Sequence, residues 1–165
     1  MKIFLIFTII ACSTYIGYGF SSYYRQRLRF FKDIKDFASK LILEINFSKK
    51  NLQEIVQGNI VSYGSDFKKV LECFLNYLKD VNFEMSNSEM FFKKSVLTGD
   101  EQELVLMFFK ALGKYDLFNQ IKEIENYKSK FEASIESADA ENKKYGGLYV
   151  KLGLLGGILI GILLI

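Results

Sequence analysis

The chain has 165 residues, half of them hydrophobic, with 22 Lys and Arg against 19 Asp and Glu for a net charge of +3. Charges this balanced and this dispersed exclude nucleic-acid binding as a main function, so no nucleic acid is expected among its partners. The lack of histidine removes the usual general base near neutral pH and the commonest metal ligand.

Proline is also absent, and Leu, Lys, Glu, Phe and Ile dominate. Long uninterrupted helices are therefore allowed, and the expected class is all-α. About 125 residues separate the two apolar ends, enough for one compact domain. Cys12 lies in an apolar run and Cys73 in a helical pattern, and two isolated cysteines make neither a zinc site nor a disulfide framework.

The first element, Ile3 to Phe20, runs eighteen residues without a charge, just enough to cross a membrane as a helix (3–20). Ile9, Ile10 and Ala11 before Cys12 also look like the box that precedes a lipidated cysteine, which leaves open cleavage before Cys12 and an extracytoplasmic lipoprotein or binding module. Gly17 and Gly19, with Ser13 and Thr14, supply small residues that another helix can approach closely. Residues 21–145 are expected to form the soluble domain. Leu28, Phe31, Ile34, Ala38, Leu41 and Ile45 recur at three and four residues and mark one helical face, continuous with the first span.

A shorter segment around Leu52, Ile55 and Val56 is expected to stop at Gly58. Ser65 should cap the next helix, whose stripe of Phe67, Val70, Leu71, Phe74, Leu75 and Leu78 reads as bundle core. Asn82 to Ser88 is loop-like, and Met90, Phe91 and Val96 mark a further short helix. Thr98 and Glu101 stand at capping-box spacing before the run from Leu104 to Leu112, which Gly113 closes. Asp116 opens the longest element, with Ile121, Ile124, Phe131, Ile135, Ala138, Asn142, Tyr145 and Tyr149 on its face and a gap at Lys128. Carried through to Ile165, that helix would be about 75 Å long, with Gly146 and Gly147 as its weak point.

The last stretch, 146–165, holds twelve Leu, Ile or Val residues and one charge, Lys151. Its gross insertion energy is about −4 to −7 kcal/mol, and the Lys151 stem can snorkel toward the headgroups. A second membrane span is expected here. Gly153, Gly157 and Gly161 recur every four residues and form a smooth packing face for transmembrane helices, together with Gly17 and Gly19. Arg25, Arg27, Arg29, Lys32 and Lys35 follow the first span and Lys143 and Lys144 precede the second, so the positive-inside rule puts the central domain in the cytoplasm.

Catalytic signals are missing. No phosphate loop or dinucleotide fingerprint is present, acidic pairs such as Asp33 with Asp36 read as solvated helix surface, and no nucleophile, base or metal constellation can be nominated. The expectation is a non-enzyme without cofactors.

Taken together, Thr14, Tyr15, Ile16 and Gly17 before a basic amphipathic helix, then Leu43, Glu44 and Ile45, then Leu112, Gly113, Lys114, Tyr115 and Asp116 with Gln120 and Ile121, and last the run from Tyr149 through Gly157 (Tyr, Val, Lys, Leu, Gly, Leu, Leu, Gly, Gly) resemble the stage III sporulation protein AB family of endospore-forming bacteria. One departure is that the family tends to place a proline where Asn51 precedes Leu52, which leaves the start of that helix open. The resemblance implies a mother-cell membrane protein of the channel or secretion-like complex between mother cell and forespore. It also implies a six-helix cytoplasmic bundle similar to that of the inner-membrane platform proteins of type II secretion and type IV pilus systems. The implied partners are the lipid bilayer, other membrane proteins of the channel, and the cytoplasmic secretion-type ATPase, stage III sporulation protein AA.

Overall fold

The computed structural model describes residues 2–48, 50–79, 95–114 and 116–163, and every regular element among them is helical. In chain order these are α1 (Lys2–Phe47), α2 (Leu52–Asn59), a 3-10 turn (Ile60–Ser62), α3 (Ser65–Lys79), α4 (Gly99–Ala111), α5 (Leu117–Tyr145) and α6 (Leu148–Leu163). The loop expected at Asn82 to Ser88 and the short helix expected around Met90 and Phe91 lie outside the described residues. The chain divides into two compact units, Met1–Leu28 with Glu136–Ile165 and Arg29–Ile135.

In the unit Arg29–Ile135, the three-four periodicity of α1 becomes a buried face. Phe31, Ile34, Ala38 and Leu41 are wholly buried, whereas Ile45 is half-buried. Phe30 and Phe37 join them, widening the apolar stripe beyond the residues that the spacing singles out. Five of the six stripe residues on α3 are buried, from Phe67 to Leu75, and Leu78 is half-buried. The core is largely aromatic. Phe67 meets Phe30 edge-on at 5.4 Å and Phe37 at 5.8 Å, Phe74 lies 4.7 Å from Phe109, and Phe108 meets Phe131 edge-on at 5.3 Å. Such edge-to-face pairs add about 0.5–1.5 kcal/mol each to area burial and fix ring orientation.

The helix ends carry the signals that stop and start them. Asn51 caps α2 by accepting from the Glu54 N–H at 2.9 Å, which fixes the start of that helix without the proline. Its end is not Gly58, because the turn runs on to Asn59 and then tightens into the 3-10 turn. Ser65 is the first residue of α3 rather than its cap. The preceding Gly64 gives its carbonyl to the Lys68 N–H and its own N–H to Asp33 Oδ2, so Asp33 ties a helix start to α1 instead of only meeting solvent.

Thr98 donates its backbone N–H to Glu101 Oε2 at 2.9 Å, one half of the expected capping box. Gly113, at φ +81°, takes the left-handed conformation that follows a helix end. Asp116 Oδ1 accepts from the Asn119 N–H at 3.0 Å and opens α5. The gap at Lys128 is filled one residue earlier, since Tyr127 is buried between Ile124 and Phe131. Its ring packs against Phe108 at 5.5 Å, and Lys130 covers it from outside at 4.9 Å.

The long helix expected from Asp116 onward is interrupted at Gly146 and Gly147, where α5 stops and α6 begins. Two adjacent glycines lower helix propensity by about 1 kcal/mol each. The break therefore falls at the weakest point of the sequence.

Candidate helix-packing site

The unit formed by the two chain ends is an antiparallel helical hairpin, and its geometry rests on small residues. Going up α1, the contacts fall at Ile6, Ile10, Ser13, Gly17 and Ser21; coming down the other side, they fall at Gly161, Gly157, Gly153, Tyr149 and Gly146. A Cβ built on Gly153 would lie 2.6 Å from the Ser13 carbonyl oxygen and 3.4 Å from Gly17 Cα. One on Gly157 would lie 2.9 Å from Ile10 Cα. One on Gly17 would run into the Tyr149 carbonyl. At these three positions the obstacle is backbone, so only glycine permits the approach. Gly161 would meet only the Ile6 side chain, Cγ2 at 2.9 Å, and is correspondingly less constrained.

Gly19 stands apart from this set. A Cβ there would meet nothing within 4 Å, because two residues beyond Gly17 the helix has turned by roughly 200°. Its place is taken by Ser21, buried and four residues on from Gly17. The Ser21 hydroxyl donates to the Gly146 carbonyl, at the break between α5 and α6. Ser13 donates likewise to the Gly153 carbonyl at 2.7 Å. The spacing Ser13, Gly17, Ser21 is a small-residue stripe at every fourth position, a signal present in the sequence that the Gly17 and Gly19 pair obscures.

Below the glycines the hairpin is closed by rings and one ion pair. Tyr24 stacks on Tyr145 at 5.4 Å and on Tyr149 at 6.0 Å, and Phe20 lies 5.6 Å from Tyr149. Arg27 Nη1 sits 2.5 Å from Glu141 Oε2 with the arginine side chain only 9% exposed. The arginine end is the buried one, so loss of Glu141 would leave a cation without its partner away from water, whereas the Glu141 side chain, 38% exposed, stays within reach of solvent. Asn142 Oδ1 is buried without a hydrogen-bond partner among the described residues.

Away from this seam, the outward faces of both helices are apolar and open. Phe4, Tyr15, Leu155, Leu159 and Leu163 are all more than half exposed. The described residues contain two helical stretches long and apolar enough to cross a membrane, and only 11% of each most apolar window is buried. No three His, Cys, Asp or Glu side chains gather as metal ligands among the described residues.

The family profile of stage III sporulation protein AB matches residues 2–165, the whole length of hairpin and bundle together. The chain belongs to that family. As a stage III sporulation protein AB family member, it is a sporulation protein, and the residues that the profile spans include both apolar helices and every contact of the glycine seam. No curated protein and no solved structure matches it.

Proposed function

We propose that this family member is a non-enzymatic membrane platform of the secretion-like complex between mother cell and forespore. In this reading α1 and α6 cross the mother-cell membrane as one hairpin. The Arg29–Ile135 unit lies in the cytoplasm and docks a secretion-type ATPase, stage III sporulation protein AA, while the exposed faces of the hairpin meet lipid and other membrane proteins of the channel. Its helical unit would then play the part of the cytoplasmic bundle of type II secretion and type IV pilus platform proteins.

The observation that carries the reading is the exposure of the apolar helices. A core helix of a soluble protein buries most of its apolar window, and here 11% is buried. Side chains such as Phe4 and Leu163, nearly four-fifths exposed, favour a non-aqueous surrounding, because each buried methylene is worth about 0.8 kcal/mol. The lipoprotein reading fits less well. Processing before Cys12 would remove Ile6 and Ile10, the residues against which Gly161 and Gly157 pack.

Topology is the test. With Cys12 and Cys73 replaced by Ser, a single cysteine at the exposed position Lys69 is probed in intact cells with a membrane-impermeant thiol reagent. Protection until the cells are broken is expected. Labelling in intact cells would place the bundle outside and sink the platform reading.

A further inference from the structure

We propose that the foot of the hairpin recognises anionic phospholipid headgroups through Arg25 and Lys144. The inference rests on the reading above that the two apolar helices cross a membrane. Four cations lie where the apolar stretches end, and they fall into two classes. Arg27 and Lys143 are held by carboxylates, Glu141 at 2.5 Å and Asp139 at 2.6 Å. Arg25 and Lys144 are exposed and lean on rings instead, the Arg25 guanidinium 4.8 Å above Tyr18 and the Lys144 ammonium 4.9 Å above Tyr145. Stacking on a ring orients a cation without neutralising it.

Charge is segregated along the hairpin axis in the same sense on both helices. No Asp or Glu precedes Asp33 on α1, and the carboxylates of the other arm, Glu136, Asp139 and Glu141, all lie before Lys143, Lys144 and Lys151. Lys144 is thus about 4.5 Å closer to the apolar end than Glu141 and about 12 Å closer than Glu136. Tyr24 stacked on Tyr145 puts the two arms in register at this level. Tyr18, Tyr24, Tyr145 and Tyr149 form an aromatic belt there, the composition of a membrane interface. Arg25 and Lys144, exposed among interfacial tyrosines and on the apolar side of the carboxylates, are complementary to anionic headgroups, each such cation near the surface favouring them by about five-fold.

The chain has no tryptophan, which allows a single reporter. Full-length protein carrying Tyr15→Trp, a position 78% exposed, is reconstituted in phosphatidylcholine bilayers containing either brominated phosphatidylglycerol or brominated phosphatidylcholine at equal mole fraction. The anionic quencher should be about two-fold or more the stronger, and the preference should shrink in high salt, as expected of exposed charges. Arg25→Gln with Lys144→Gln should abolish the preference, while Lys143→Gln, whose cation is already paired, should retain it. Equal quenching by both lipids would overturn the headgroup proposal and leave the membrane reading intact. A preference that survives the double substitution would overturn the assignment to these residues. Quenching by neither lipid would overturn both, because the helix would then not be in the bilayer.

Discussion

Adding one methyl group at Gly153 perturbs the hairpin seam directly. The new Cβ of Gly153→Ala would stand 2.6 Å from the Ser13 carbonyl oxygen, and because that obstacle is backbone the two helices must separate. Overpacking of this kind costs about 1–3 kcal/mol. Separation also stretches the Ser13 to Gly153 hydrogen bond of 2.7 Å, worth about 0.6 kcal/mol between membrane helices. Alanine returns about 1 kcal/mol of helix propensity, leaving a net loss of about 1–3 kcal/mol. Gly156→Ala is the matched control, since its Cβ would meet only Ser13 Oγ at 3.9 Å, an ordinary contact. It keeps the propensity gain and should be neutral or stabilising by up to about 1 kcal/mol. The assay titrates SDS into lipid-detergent micelles holding the full-length chain and reads helix contact by cross-linking cysteines placed at Phe20 and Tyr149, whose rings lie 5.6 Å apart, with Cys12 and Cys73 replaced by Ser. Gly153→Ala should move the midpoint to lower SDS, and Gly156→Ala should not. Identical midpoints would refute the argument that backbone approach at Gly153 holds the hairpin together.

Three further outcomes follow from the other unit. Phe74→Ala removes a fully buried ring and should destabilise the bundle by about 3–5 kcal/mol; a denaturant midpoint no more shifted than that of Lys69→Ala would show that α3 does not carry the core. Asn51→Ala removes the cap of α2 and should cost about 1 kcal/mol, read as a smaller midpoint shift in the same titration. Burial pushes the Tyr63 phenol up to about 12, so between about pH 10, where an unfolded tyrosine ionises, and that value the folded chain holds a proton that the unfolded chain has released. Stability therefore falls as pH rises through this window, and Tyr63→Phe should flatten the decline, measured as denaturant midpoints from pH 9 to 12.

Local signals were legible wherever their cause is local. The capping-box spacing of Thr98 and Glu101, the stop at Gly113 and the cap at Asp116 each depend on residues within a turn of one another, and the structure places them there. The stripe of α3 reads directly because its apolar residues keep one period. What the spacing misreads is set by distant packing. Tyr127 turns inward because Phe108 is there to receive it, although a tyrosine is tolerated on either face of a helix. The helix that the spacing has Ser65 cap already includes Ser65, and the residue before it, Gly64, is held by Asp33 of another helix. In the seam, Gly153, Gly157 and Gly161 announce a close approach, but which residues of α1 receive them depends on a register fixed by pairs more than a hundred residues apart, such as Arg27 with Glu141. Gly17 is in that register and Gly19 is not.

The hydrogen bond from Ser21 to the Gly146 carbonyl links two positions made at very different times during synthesis. At roughly 5–20 residues per second, the separation of 125 positions takes on the order of ten seconds to emerge. For that interval the first span holds its Ser13, Gly17 and Ser21 stripe without the surface it is shaped to meet. In the membrane arrangement proposed above, lipid tails or another membrane helix fill the groove beside Ser13, Gly17 and Ser21 until α6 arrives and displaces them. The order of assembly is thereby written into the seam: the first span waits, and the carbonyl at the break between α5 and α6 finds its donor only once both arms are in place.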